Sequence, residues 1–169
     1  MNKKVLVLDS SAFIAGFDLS LINLQAYSPP LVIEELPREG PIALRAKTLQ
    51  EIRKLNVKKP NEKSERKVCE IAVKVGDKSV LSKADLQLLA LAFELKNEGF
   101  KPIILTDDYA IQNVAYFLQL DFSSIATFGI SKPLKWIVYC PACFKKYNED
   151  EKTVCDVCGA KLKRKAEGN

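Results

Sequence analysis

The sequence predicts an α/β domain of three layers built on a mainly parallel sheet, followed by a small C-terminal module that folds around a metal ion. Three observations carry that expectation. Strand-like and helical patterns alternate over residues 1–130, two apolar runs each end in acids, and four of the five cysteines cluster near the C-terminus. At 169 residues and 47% hydrophobic, the chain can bury one medium core and still carry a satellite module.

The first apolar run, Val5-Leu6-Val7-Leu8, reads as a buried strand closing on Asp9, and Ser10-Ser11 offers a cap for a helix through Ala12-Phe13-Ile14-Ala15. After Ser28-Pro29-Pro30, Leu31 to Leu36 reads as a short helix that Pro37 ends. Residues 41–55 are apolar at Ile42, Leu44, Leu49, Ile52 and Leu55, and residues 62–75 at Val68, Ile71, Ala72 and Val75, so both predict amphipathic helices parted at Pro60-Asn61. Cys69 falls on the second stripe and reads as a core residue rather than a reactive thiol. The clearest helix opens at Ser82, where Asp85 three positions later imitates a capping box, and Gly99 stops it. Pro102 introduces the second strand, Ile103-Ile104-Leu105-Thr106, which ends in Asp107-Asp108. Tyr109 to Leu118 predicts a further helix and Phe122 to Phe128 a last strand. The divisions this implies are a domain over 1–130, a linker over 131–135, a four-cysteine module over 136–162 and a disordered basic tail over 163–169.

Composition excludes whole classes of chemistry. There is no histidine, so Ser-His-Asp and Cys-His catalysis, imidazole bases and His-ligated zinc are ruled out. No apolar run reaches the roughly 18–20 residues that span a bilayer, and Met1-Asn2-Lys3-Lys4 enters a strand pattern without a signal-peptide cleavage site. A soluble cytoplasmic protein in a reducing compartment is the expectation. The formal charge is +5, and between Arg38 and Lys67 ten cations face four acids. Such a strip suits a polyanion, with a solvated helical surface as the plain alternative. Candidate residues for contacting such a polyanion are Arg45, Lys47, Arg53 and Lys54 there and Lys145 and Lys146 in the cysteine module.

Cys140-Pro141-Ala142-Cys143, eleven intervening residues, then Cys155-Asp156-Val157-Cys158 predicts a four-thiolate site for one structural Zn²⁺, a pair of disulfides or an iron site being the alternatives. Four thiolates leave no open position for substrate, so the zinc is assigned to folding. A module this small needs such a staple. Tyr139, Phe144 and Tyr147 either stack on bases or pack around the zinc.

Taken singly, each acid has an ordinary explanation: Asp85 and Asp107 or Asp108 can cap helices, and Glu35 can be solvated. Asp9 is harder to set aside, because an acid ending a buried strand must be paired, hydrogen-bonded or metal-bound. In a parallel sheet Asp9 and Asp108 converge at one crevice, and Asp85 in a helix's first turn can point into it. Carboxylates gathered in this way repel one another, and Mg²⁺ or Mn²⁺ relieves the repulsion. A divalent ion between carboxylates and a phosphodiester activates water and neutralises the leaving oxygen, which is nuclease chemistry.

Leu8-Asp9-Ser10-Ser11, Val32-Ile33-Glu34-Glu35-Leu36, Leu81-Ser82-Lys83-Ala84-Asp85-Leu86 and Leu105-Thr106-Asp107-Asp108 resemble, in this order, the four acidic motifs of PIN-domain ribonucleases. The resemblance implies a PIN-like three-layer domain over 1–130, with Asp9, Glu35, Asp85 and Asp108 as the acids that hold Mn²⁺ or Mg²⁺. It makes Asp107 an adjacent catalytic candidate, and Ser11 and Thr106 supporting residues. Joined to a C-terminal zinc ribbon, Thr106-Asp107-Asp108-Tyr109-Ala110-Ile111-Gln112-Asn113-Val114-Ala115 is similar to the archaeal form of the Nin-one-binding protein family. That implies metal-dependent hydrolysis of single-stranded precursor rRNA at the 3′ end of small-subunit rRNA. The implied partners are precursor rRNA, the nascent small subunit and assembly-factor proteins. A non-catalytic, RNA-binding assembly factor and a toxin-like PIN ribonuclease with another RNA target are the alternatives.

Overall fold

The computed structural model describes residues 3–19, 22–125, 136–147 and 152–166. The predicted linker over 131–135 and residues 167–169 of the predicted tail lie outside them. The strands β1 (Lys4–Leu8), β2 (Gln25–Ser28), β3 (Leu55–Val57), β4 (Lys101–Leu105) and β5 (Asp121–Ser123) pair in parallel as a five-stranded sheet of order β3-β2-β1-β4-β5. β1 and β4 lie towards its centre, covered on both faces, which is why their sequences are continuous apolar runs rather than alternating ones. From β1 the chain moves outward through β2 and β3, then returns to β4 and moves outward the other way to β5, so the topology reverses between β1 and β4. Leu8 and Leu105 are in register, and the next residues, Asp9 and Thr106, therefore stand side by side at the C-terminal edge.

The helices are α1 (Ser10–Ile14), α2 (Pro30–Glu35), α3 (Pro41–Glu51), α4 (Glu62–Val75), α5 (Lys83–Asn97) and α6 (Tyr109–Phe117). α5 is the helical centre: its residues Leu88 to Ala92 are all fully buried, and it packs on β1, β4, α2, α4 and α6. Its N-terminus is a full capping box, with Ser82 Oγ accepting from Asp85 N and Asp85 Oδ2 accepting from Ser82 N. At its other end, buried Glu94 accepts from Asn61 N at 2.5 Å and pairs with Lys58 at 2.8 Å, fixing the start of α4. Gly76 ends α4 with φ +79°, a left-handed cap that glycine adopts without strain.

Several expectations are corrected. Asp9 itself, not Ser10-Ser11, caps α1, because its carboxylate accepts from Ser10 N at 2.7 Å. α3 stops at Glu51, Arg53 takes φ +55°, and Leu55 belongs to the edge strand β3. The last strand of the sheet closes at Ser123 instead of continuing towards Phe128, and residue 128 lies outside the described residues.

The C-terminal module is a separate antiparallel sheet of order β7-β6-β8, from β6 (Trp136–Tyr139), β7 (Lys146–Tyr147) and β8 (Lys163–Ala166). Val138, Cys140, Tyr147, Cys155 and Leu162 form its own small core. The disordered tail predicted over 163–169 is wrong through Ala166, since Lys163 to Ala166 pairs along β6. Charge hid that strand: Lys163 and Lys165 are exposed, while the backbone ladder that stabilises them is supplied by residues about 25 positions upstream. Among the described residues no helix is long and apolar enough to cross a membrane.

Candidate active site and cysteine cluster

At the reversal between β1 and β4, Asp9 is 5% exposed and held on both carboxylate oxygens. Oδ1 accepts from Ser10 N at 2.7 Å, and Oδ2 accepts from Ser11 Oγ at 3.0 Å and from fully buried Thr106 Oγ1 at 2.8 Å. Thr106 Oγ1 also accepts from Asp108 N at 3.1 Å, so one hydroxyl ties the two strand-end acids together. Thr106 is itself held through its carbonyl, which accepts from the buried Gln112 Nε2 at 2.9 Å. Asp108 caps α6, its Oδ1 accepting from Ala110 N at 2.7 Å. Asp85 and Asp108 thus each commit one oxygen to a helix N-terminus.

Electrostatics joins the remaining acids to this pair. Loss of solvation, then the charges of Asp85 and Asp9, push the Glu35 carboxyl above its ordinary value. Burial pushes Asp85 up against the opposing pull of its Ser82 hydrogen bonds, with Asp9 and Asp108 adding to the rise. Among the described residues none of Asp9, Glu35, Asp85 and Asp108 is in an ion pair. Glu35 feels the charges of Asp85 and Asp9, whereas its neighbour Glu34 lines a cleft between α2 and α3. The position of Glu35 depends on a residue that motif reading missed: Gln87 on α5 accepts from Leu31 N at 3.0 Å and secures the first turn of α2. Asp107 is directed elsewhere, since its Oδ1 accepts from Ser124 Oγ at 2.5 Å and Ile125 N at 2.7 Å and anchors the turn after β5.

The donor set suits a hydrated divalent cation. Carboxyls raised by burial and by neighbouring acids, without a basic partner, are what such an ion relieves. The oxygens are spread more widely than in a closed cage: among the described residues, only the cysteines bring three or more ligand atoms within 4.8 Å of one another. Mg²⁺ commonly binds in this way, through one or two carboxylates and retained waters.

Cys140, Cys143, Cys155 and Cys158 place all four sulfurs within 4.8 Å of one another, a cluster compatible with structural zinc. The thiols cannot share this space comfortably as acids. The Tyr147 hydroxyl, 3.1 Å from Cys155 Sγ, heads the hydrogen bonds that hold that thiol down to about 6. The Ala160 N–H pulls on Cys158, but its contacts with Cys140 and Cys155 drive it up to about 12. A divalent ion bound there would resolve that conflict by taking all four as thiolates. Tyr147 is buried and so belongs to the packing, whereas Phe144 is 73% exposed.

The predicted RNA-contacting residues divide. Arg45 donates to Phe13 O at 3.1 Å, Lys54 to Ile22 O at 3.2 Å, and Lys145 pairs with Asp156 at 2.9 Å. Lys47, Arg53 and Lys146 are exposed.

Residues 6–95 match the model of the PIN domain of ribonuclease. An endoribonuclease Nob1 of Pyrococcus abyssi is 40% identical over 163 residues, covering 95% of this chain and 93% of that protein. The endoribonuclease Nob1 of Methanocaldococcus jannaschii is 38% identical, with 96% and 78% covered, and a ribonuclease VapC1 of Thermoplasma acidophilum 35% identical, with 95% and 77% covered. The chain belongs to the PIN-domain ribonucleases and is closely related to the Nob1 endoribonucleases of archaea.

Proposed function

We propose that this chain is a divalent-metal-dependent endoribonuclease that cuts single-stranded precursor RNA at the 3′ end of small-subunit rRNA. The reading is supported by Asp9 and Asp108 joined through Thr106 at the reversal between β1 and β4, by the charges of Asp9 and Asp85 acting on Glu35 and those of Asp9 and Asp108 acting on Asp85, and by kinship to proteins named endoribonucleases. When bound, Mn²⁺ or Mg²⁺ would supply charge neutralisation at the phosphate and activation of water. Asp9 is the fixed ligand, held by Ser10 N, Ser11 and Thr106, and Asp85 and Asp108 offer the oxygens their helix caps leave over. Glu35 approaches from α2 and completes the ring of negative charge. Lys47, Arg53 and Lys146 give the phosphate backbone affinity that weakens with salt. In the ribbon, exposed Phe144 offers a ring on which a base can stack.

The test is cleavage of an RNA spanning the mature 3′ end of small-subunit rRNA, beside an unrelated single-stranded RNA of equal length. It is run with Mn²⁺, Mg²⁺ or chelator and with wild type and Asp9→Asn. Metal-dependent scission at the mature end, lost in the variant, is expected. Equal cutting of both RNAs would favour the toxin-like reading that the VapC1 relative supports, and undiminished cutting by Asp9→Asn would reject the carboxylate site.

A further inference from the structure

Gln112 and Asn113 are adjacent polar residues on α6, buried between Ile111 and Val114, both fully buried. A polar pair at such positions needs partners. Gln112 finds one in the carbonyl of Thr106, beside the carboxylates. Asn113 turns the other way and donates from Nδ2 to Asp77 Oδ2 at 2.6 Å. Asp77 follows the Gly76 cap of α4 and is only 2% exposed. Its Oδ1 accepts from Arg164 Nη2 at 3.0 Å, and the same nitrogen donates to the Gly76 carbonyl. Arg164 lies on β8, paired opposite Val138 of β6, and so belongs to the ribbon.

From this chain of contacts we infer that Arg164 is a positioning residue that seats the zinc ribbon on the end of α4 and, through Asp77 and Asn113, on helix α6. The site is built for a cation: a carboxylate buried to 2% and the last carbonyls of a helix present negative charge together. The guanidinium meets both groups through one nitrogen, Nη2, which donates to the Gly76 carbonyl and to Asp77 Oδ1. The consequence reaches the active site through one short helix. α6 begins at Asp108, holds Thr106 through Gln112 and holds the ribbon seat through Asn113. An RNA touching the ribbon is thereby kept at a set distance from the carboxylates instead of swinging on a linker. The seat also gives a physical role to the Gln112-Asn113 pair, which no metal or substrate contact explains.

The inference is tested without RNA, so its failure is separable from failure of the nuclease reading. Backbone ¹⁵N relaxation is measured on the zinc-loaded full chain as wild type, Arg164→Gln, Arg164→Lys and Asp77→Asn. In wild type, ribbon and PIN-domain amides are expected to share one rotational correlation time. Arg164→Gln and Asp77→Asn should each lose it, with ribbon amides reporting a markedly shorter time, the Asn113 side-chain amide resonances shifting, and the Cys143 and Cys158 amides unmoved. Arg164→Lys, which keeps a charge for Asp77, should restore the common time. Independent tumbling of the wild-type ribbon would overturn the inference, as would a common time that survives in both Arg164→Gln and Asp77→Asn.

Discussion

The carboxylate crevice and the cysteine cluster are both places where like groups crowd together, yet they are built in opposite ways. The four sulfurs lie within 4.8 Å of one another and hang on short turns, and the small core there is Val138, Tyr147 and Leu162 together with Cys140 and Cys155 themselves. The acids come from four separate places, the residue after β1, α2, α5 and the loop after β4, and rest on the main core of the molecule. The cysteine cluster is compatible with a structural zinc, which would staple a module with little core of its own. The carboxylates rest on a core that forms without an ion, so a divalent cation bound there would be free to serve chemistry rather than folding.

Breaking the cysteine side of the comparison should have the larger effect. Cys155→Ser, or zinc chelation, is expected to unfold the ribbon while the PIN domain stays folded, because a structural zinc in so small a module supplies on the order of 10 kcal/mol; zinc stoichiometry and ribbon amide dispersion check this. On the acidic side, Thr106→Val removes the hydroxyl joining Asp9 to Asp108 N. It should lower Mn²⁺ affinity or cleavage rate about 10–100-fold, the usual range when a ligand loses its orienting partner, and lower stability by about 1–3 kcal/mol, because buried Asp9 and the Asp108 N–H each lose a hydrogen-bond partner.

A smaller effect contrasts the crevice with the paired acid Glu94. Burial alone would raise the Glu94 pKa, but hydrogen bonds from Lys58 and the Asn61 N–H outweigh it and hold the carboxyl below its ordinary value. A depressed folded-state pKa gives stability that is complete above the ordinary carboxylate value and is lost as pH falls through the folded value. Glu94→Gln should therefore lower stability by about 1–3 kcal/mol at neutral pH, and the gap to wild type should close on acidification in denaturant titrations. Glu35 has the opposite sign: its pKa is raised, so its charge opposes folding above the raised value and the penalty fades as pH falls through it. Glu35→Gln should slightly raise the melting temperature of the metal-free protein and weaken Mn²⁺ binding. The smallest expected effect is Lys47→Ala, which should weaken RNA binding a few-fold and reduce the salt slope by about 1.

The two sites were also unequally legible. Spacing alone identifies the cysteines, since two Cys-x-x-Cys pairs carry their geometry with them. The acids are visible at strand ends and in the capping box, but their meeting place is not, because it depends on a sheet order in which β4 lies beside β1. Of the strands, β1 and β4 announce themselves by apolar runs, whereas Gln25–Ser28 and Leu55–Val57 are short, mixed in polarity and set by pairing with distant neighbours. The same non-local pairing turns Lys163–Ala166 into β8. The burial of Gln87, Gln112 and Asn113 against backbone and carboxylate partners is set by packing between distant elements and is not legible in the sequence. Asp107 shared the sequence position of an active-site acid, and only its bonds to Ser124 and Ile125 separate it from Asp108.

Paramagnetic broadening on adding Mn²⁺ to the zinc-loaded full chain tests the contrast most directly. The account predicts selective loss of the amide signals of Ser10, Glu35, Asp85 and Asp108, with the amides around Cys143 and Cys158 unaffected and the broadening at Ser10 abolished in Asp9→Asn. Broadening centred on the ribbon, or a crevice that stays sharp at saturating Mn²⁺, would contradict it.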